Sequence, residues 1–123
     1  MKKLIELEGV KMQEHERDSI LRLRKLGFDA RPILPPGTIG APDVVIGNQL
    51  WEIKSPNGGS HKETIAQQFR RAKKQSSYMI LDCARVKLTD NFVVKEACRQ
   101  LHSPRNRHSI RKVKIITKTQ KII

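Results

Sequence analysis

Asp43, Glu52 and Lys54 are the residues of this chain whose types and spacing suit phosphodiester chemistry. They lie in the stretch APDVVIGNQLWEIKSP, where the apolar runs at 44–46 and 50–53 flank Gly47-Asn48. Glycine tolerates the positive φ of a two-residue turn, so this reads as a hairpin. A turn centred on Gly47-Asn48 sets Ile46 opposite Gln49, Val45 opposite Leu50, Val44 opposite Trp51 and Asp43 opposite Glu52. Side chains alternate along a strand, which puts Asp43, Glu52 and Lys54 on one face. Directly opposed Cβ atoms on antiparallel strands are about 4.5–5.5 Å apart. Two carboxylates at that range repel unless a positive group separates them, and a divalent metal ion suits oxygen donors of this kind. The Lys54 ammonium adds a fixed positive charge able to hold a phosphate or a water. The trio therefore points to metal-dependent phosphodiester cleavage.

The elements that must position it follow from periodicity and punctuation. Residues 1–10 form a short extended or helical lead-in. Residues 11–26 read as a helix with Ile20, Leu21, Leu23 and Leu26 as its apolar stripe and Met12 further along the same side; Gly27 caps it. Glu16 sits on this helix, and the competing Glu14 points about 200° round it. Residues 28–34 read as a strand ended by Pro35-Pro36-Gly37. After the hairpin, residues 55–61 make a polar, glycine-rich connector without the P-loop pattern. Residues 62–76 read as a second helix whose inward face carries Ile65, Gln68 or Phe69, Ala72 and Gln75 or Ser76, which puts the Gln68 amide on the inward side, while Arg70, Arg71, Lys73 and Lys74 form a basic outer face suited to phosphates. A strand at 78–83, a helix at 90–101 capped by Thr89 or Asp90, and a last strand at 113–117 complete the order.

Size and charge bound the function. The chain has 123 residues, enough for one domain (residues 1–123) with a modest core. A formal charge of +13 favours a polyanionic partner, most simply nucleic acid. Aromatics make up only 4% of residues, which argues against stacking bases on an aromatic sheet. Cys83 and Cys98 have no CxxC spacing and read as buried free thiols. The opening apolar stretch is broken by Glu6 and Glu8, so no signal peptide is expected, and no apolar run reaches the length of a membrane span. His15, His61, His102 and His108 lack zinc-ligand spacing and are expected at the surface.

Pro42-Asp43 with Glu52-Ile53-Lys54 resembles the PD-(D/E)xK nuclease superfamily. That resemblance implies an α/β (α+β) fold with a restriction-endonuclease-like α-β-β-β-α-β core, here with an extra C-terminal helix and strand. The first helix, with Glu16-Arg17 ahead of the apolar stripe and Gly27-Phe28, resembles the opening helix of archaeal Holliday-junction resolvases, which implies that Glu16 joins the metal site. Gln68 is similar in type and position to the glutamine that RecB-like members place on their second helix. The segments LWEIKSPNG, TIAQQFRRAKKQS and MILD resemble the C-terminal tRNase domains of CdiA-type contact-dependent growth inhibition toxins. Together the resemblances imply a catalytic set of Glu16, Asp43, Glu52, Lys54 and Gln68, with Asp43, Glu52 and Glu16 holding Mg²⁺ or Mn²⁺, Zn²⁺ also being admissible. They further imply a tRNA substrate, a cognate immunity protein, and delivery from the cell surface as part of a larger toxin that acts in the target-cell cytoplasm. Three rivals remain open on the sequence: a DNA endonuclease of the resolvase or restriction type, a metal-free ribonuclease, and a non-catalytic basic nucleic-acid-binding module.

Overall fold

In the computed structural model, which describes residues 4–33, 44–57, 64–72, 76–104, 106, 109–119 and 121–123, the chain opens with a hairpin of β1 (Leu4–Leu7) and β2 (Val10–Gln13). Glu8 and Gly9 turn it, both at positive φ (51° and 84°). The Glu8 carboxylate meets Arg24 of the following helix at 2.6 Å, tying the turn to that helix. Helix α1 (Glu14–Lys25) leads to β3 (Ala30–Pro32), β4 (Val44–Ile46) and β5 (Gln49–Lys54). Helix α2 (Thr64–Ala72), β6 (Tyr78–Asp82), α3 (Asp90–Leu101) and β7 (Lys112–Ile116) follow. After the opening hairpin this is the expected α-β-β-β-α-β order with an added helix and strand.

The main sheet runs β3-β4-β5-β6-β7, antiparallel through β5 and parallel from β5 to β7. The β4–β5 register is the one anticipated: Val44 pairs with Trp51, Val45 with Leu50 and Ile46 with Gln49, around Gly47 at φ 60°. Parallel neighbours need crossover connections, and those crossovers are right-handed as a rule, so successive ones put their helices on one face. Accordingly α2 and α3 share a core in which Ile65, Phe69, Val93 and Ala97 pack on Met79, Leu81 and Ile115. The opposite face is covered by β2 and α1, through Val10, Met12, Ile20 and Leu23 on Val44, Trp51, Ile53 and Ile80.

Outside the site, three side-chain placements differ from the sequence reading. Met12 is buried from β2 rather than from a helix that was expected to begin at residue 11. Leu21 is 43% exposed, because it lies about 100° round α1 from the buried Ile20. Cys83 is buried as expected, whereas Cys98 is exposed, one residue round α3 from the inward Ala97. Among the described residues no helix is long and apolar enough to cross a membrane.

Candidate active site

Strand alternation builds the floor of the site. Along β5, Trp51 and Ile53 enter the core beneath α1, so Glu52 and Lys54 leave the other face. Glu52 is only 2% exposed, yet it lines an open polar cleft of about 440 Å³. The Lys54 ammonium lies 3.5 Å from Glu52 Oε1, an ion pair whose two side chains are both largely buried. At about 3.5 Å even a well-screened protein environment keeps such an attraction at several kcal/mol before desolvation is subtracted.

Other elements converge on the same space. Glu16, in the first turn of α1, lines the cleft, and its Oε1 accepts a hydrogen bond from the backbone N–H of Gln13 at 3.3 Å. That bond holds the carboxylate at the helix N-terminus, where negative charge is favoured. Glu14, its rival in sequence, is 73% exposed and does not line the cleft. From α2, Gln68 and Arg71 line the opposite wall; Gln68 is buried on the helix face that the periodicity marked as inward. Arg70 is exposed beside Arg71 and outside the lining. Glu16, Glu52, Lys54, Gln68 and Arg71 are thus brought together. Asp43, Lys73 and Lys74, together with His61 and His108, lie outside the described residues.

Sequence reasoning missed Gln13, Ser55, Asn57 and Arg85, all in the lining, and placed His15 at the surface where it is a half-buried wall residue. Arg85 sits three residues past β6 and donates through Nη2 to the carbonyl oxygen of Ser55, just past β5. No local motif marks it. The available signal was topological: parallel neighbours bring their C-terminal ends together, which is where ligands bind in open α/β sheets.

Two of the lining residues carry oxygen donors of the type a hard divalent cation takes. Glu16 and Glu52 offer carboxylate oxygens to one open cleft, and an ion of the Mg²⁺ type needs only one or two carboxylates when water and phosphate fill its other positions. Among the described residues no group of three or more His, Cys, Asp or Glu could enclose a metal.

A mixed sheet with helices on both faces, and a cleft where Glu16 of α1 meets Glu52 and its paired Lys54 near the C-terminal end of β5, define a small basic α/β domain with a polar cleft. Compared with known proteins, residues 40–122 match the family model of the contact-dependent growth inhibition CdiA C-terminal domain. The chain belongs to that family, and so is a toxin domain of contact-dependent inhibition. Among solved structures it is similar to the CdiA-CT/CdiI toxin and immunity complex from Burkholderia pseudomallei, with a TM-score of 0.66 and 19% identity. That alignment covers 100% of this chain and 95% of the other, a likeness of fold. No curated protein sequence matches.

Proposed function

We propose that this domain is a metal-dependent nuclease of the PD-(D/E)xK type that hydrolyses phosphodiester bonds, with tRNA as the favoured substrate. The observation that carries the reading is the Glu52–Lys54 pair, at 3.5 Å and on the floor of a cleft that Glu16 and Gln68 also line. A charge of +13 supplies the long-range attraction for a polyanion. The choice of RNA, and of tRNA, rests on resemblance to CdiA-type tRNase domains.

Glu52 and Glu16 would hold a divalent ion, and Asp43, outside the described residues, is assigned to the same set. Such an ion, when bound, supplies a water of lowered pKa and a Lewis acid for the phosphoryl oxygens. Lys54 places an ammonium where negative charge develops on the phosphoryl oxygens and can hold the attacking oxygen by a hydrogen bond. Pairing with Glu52 limits the rotamers of that long side chain and so fixes the ammonium in the cleft. Gln68 presents a buried amide from the α2 wall, suited to orienting the substrate or the attacking water. Arg71 neutralises backbone phosphates at the cleft mouth.

As a toxin, the domain would be carried from the cell surface within a larger protein, act in the target-cell cytoplasm, and be neutralised by a cognate immunity protein. The structural neighbour is itself a toxin and immunity complex, which supports that last assignment.

The test uses purified domain with tRNA and with plasmid DNA. Glu52→Gln and Lys54→Ala are each expected to abolish cleavage with the far-UV circular dichroism unchanged, and EDTA is expected to stop cleavage until Mg²⁺ or Mn²⁺ is restored. His15 in the cleft wall gives a metal-free ribonuclease the base it would need, so full activity in EDTA would transfer the assignment to that chemistry. Cut plasmid with intact tRNA would mark a DNA endonuclease. Retarded but uncut substrate would leave a binding module.

A further inference from the structure

We propose that Arg85 and Ser55 form a subsite for a phosphodiester group of the substrate backbone, beside the Glu52–Lys54 pair. The inference rests on the nuclease reading and adds residues that it does not use. Ser55 follows β5 directly and Arg85 follows β6, and both line the cleft. One guanidinium donor of Arg85 is spent on the Ser55 carbonyl oxygen. Arg85 Nε and Ser55 Oγ are both shut off from solvent and, among the described residues, have no hydrogen-bond partner. Arg85 also makes no ion pair with a carboxylate of the described residues.

Buried donors left unpartnered are rare in folded proteins. An unpartnered guanidinium donor and an unpartnered hydroxyl on residues joined by the Arg85–Ser55 hydrogen bond, the cation making no ion pair among the described residues, call for a ligand that is anionic and accepts several hydrogen bonds. A neutral amide would satisfy the donors but not the charge, and a metal ion would be repelled. A phosphodiester meets both needs, since its two non-bridging oxygens match the planar guanidinium fork while a hydroxyl donates alongside. Lys54 and Arg71 line the same cleft and reinforce the preference for an anion. Hydrogen bonds of this kind commonly close only in the bound complex.

The competing explanation is that Arg85 merely clamps the chain leaving β5. Two substitutions separate them, because Ser55→Ala removes the hydroxyl but keeps the carbonyl that Arg85 holds. Binding of a single-stranded RNA oligonucleotide is measured on the Glu52→Gln protein over a range of salt concentrations. Adding Arg85→Gln is expected to weaken binding about tenfold, the effect of one charge-assisted hydrogen bond. It should also flatten the log–log salt dependence by about 0.7, one phosphate contact on a single strand. Arg85→Lys should keep the salt dependence and recover part of the affinity. Ser55→Ala should weaken binding with the salt dependence unchanged. In the cleaving protein, a fall in kcat places the contact on the scissile phosphate and a rise in KM places it on a flanking one. Folded Arg85→Gln with unchanged affinity and salt dependence overturns the subsite. If Arg85→Gln fails to fold, unchanged affinity in Ser55→Ala overturns it instead. A wild-type domain that cuts neither tRNA nor plasmid would sink the nuclease reading and leave these binding results standing.

Discussion

Asp82 offers a direct test of how the fold aligns its site. It is fully buried at the end of β6, and its Oδ2 accepts hydrogen bonds from Ser19 Oγ at 2.5 Å and Arg22 Nη1 at 2.6 Å. Its Oδ1 accepts from the backbone N–H of Ala84 at 3.0 Å. Ser19 and Arg22 are one turn apart on α1, so this carboxylate pins to the sheet the helix that brings Glu16 to the cleft. Asp82→Ala leaves a guanidinium and a hydroxyl facing a cavity. Orphaning one partner of a buried ion pair costs about 3–5 kcal/mol. Arg22 is 22% exposed and can turn to water, so the lower end, about 3 kcal/mol, is expected. Asp82→Asn keeps an acceptor oxygen but loses the charge on two short bonds, for about 2 kcal/mol. Trp51, the chain's one tryptophan, is buried under α1 and reports the transition by fluorescence in urea. The midpoint should fall with the m-value unchanged, a loss of stability rather than a change in the surface exposed. If the proposed nuclease activity holds, folded Asp82→Asn should cleave more slowly well below the melting temperature, because a loosened α1 moves Glu16 relative to Glu52. A change below about 1 kcal/mol for Asp82→Ala, the range of an exposed ion pair, would refute the pinning role.

Two further outcomes follow from placement. Burial first, and then the charges of Asp82 and Asp90, push the Cys83 thiol up to about 12, while Cys98 is exposed. A thiol reagent at neutral pH should therefore modify Cys98 at once and Cys83 only on unfolding, read by mass spectrometry; two equally fast thiols would show that the sheet–α3 core is open. Gly47 holds φ at 60°, and nothing lies within 4 Å of the position a Cβ would take, so Gly47→Ala meets no clash. The backbone penalty alone should lower stability by about 1 kcal/mol in thermal melts, and a neutral result would show that the β4–β5 turn relaxes freely.

What could be read in advance was local and periodic. The β4–β5 register followed from one glycine and two apolar runs, and α3 was legible to the residue because Thr89 caps it, accepting from the Phe92 N–H, and Val93 and Ala97 repeat at helical spacing. The β1–β2 hairpin was lost because its four-residue strands carry too few alternations to outweigh Met12 standing at helical distance from Ile20. Yet its turn was written in Glu8-Gly9, and the 2.6 Å contact of Glu8 with Arg24 compensates the strain of a non-glycine residue at positive φ.

The site divides along the same line. Glu52 and Lys54 share a face by alternation two residues apart, and Gln68 is inward by helical spacing, so neither needed the tertiary fold to be foreseen. Glu16, 36 residues ahead of Glu52, reaches the cleft because α1 packs on the sheet through Ile20 and Leu23 and is locked by Asp82. Arg85 reaches it because β5 and β6 are parallel neighbours with Lys54 beside Leu81, which sets the exits of both strands side by side. The separation has a functional consequence. The Glu52–Lys54 pair is built by one strand and should survive local loosening, whereas Glu16 and Arg85 depend on the packing of α1 and β6. Destabilising variants remote from the cleft should therefore lose the contributions of Glu16 and Arg85 before the Glu52–Lys54 pair is disturbed.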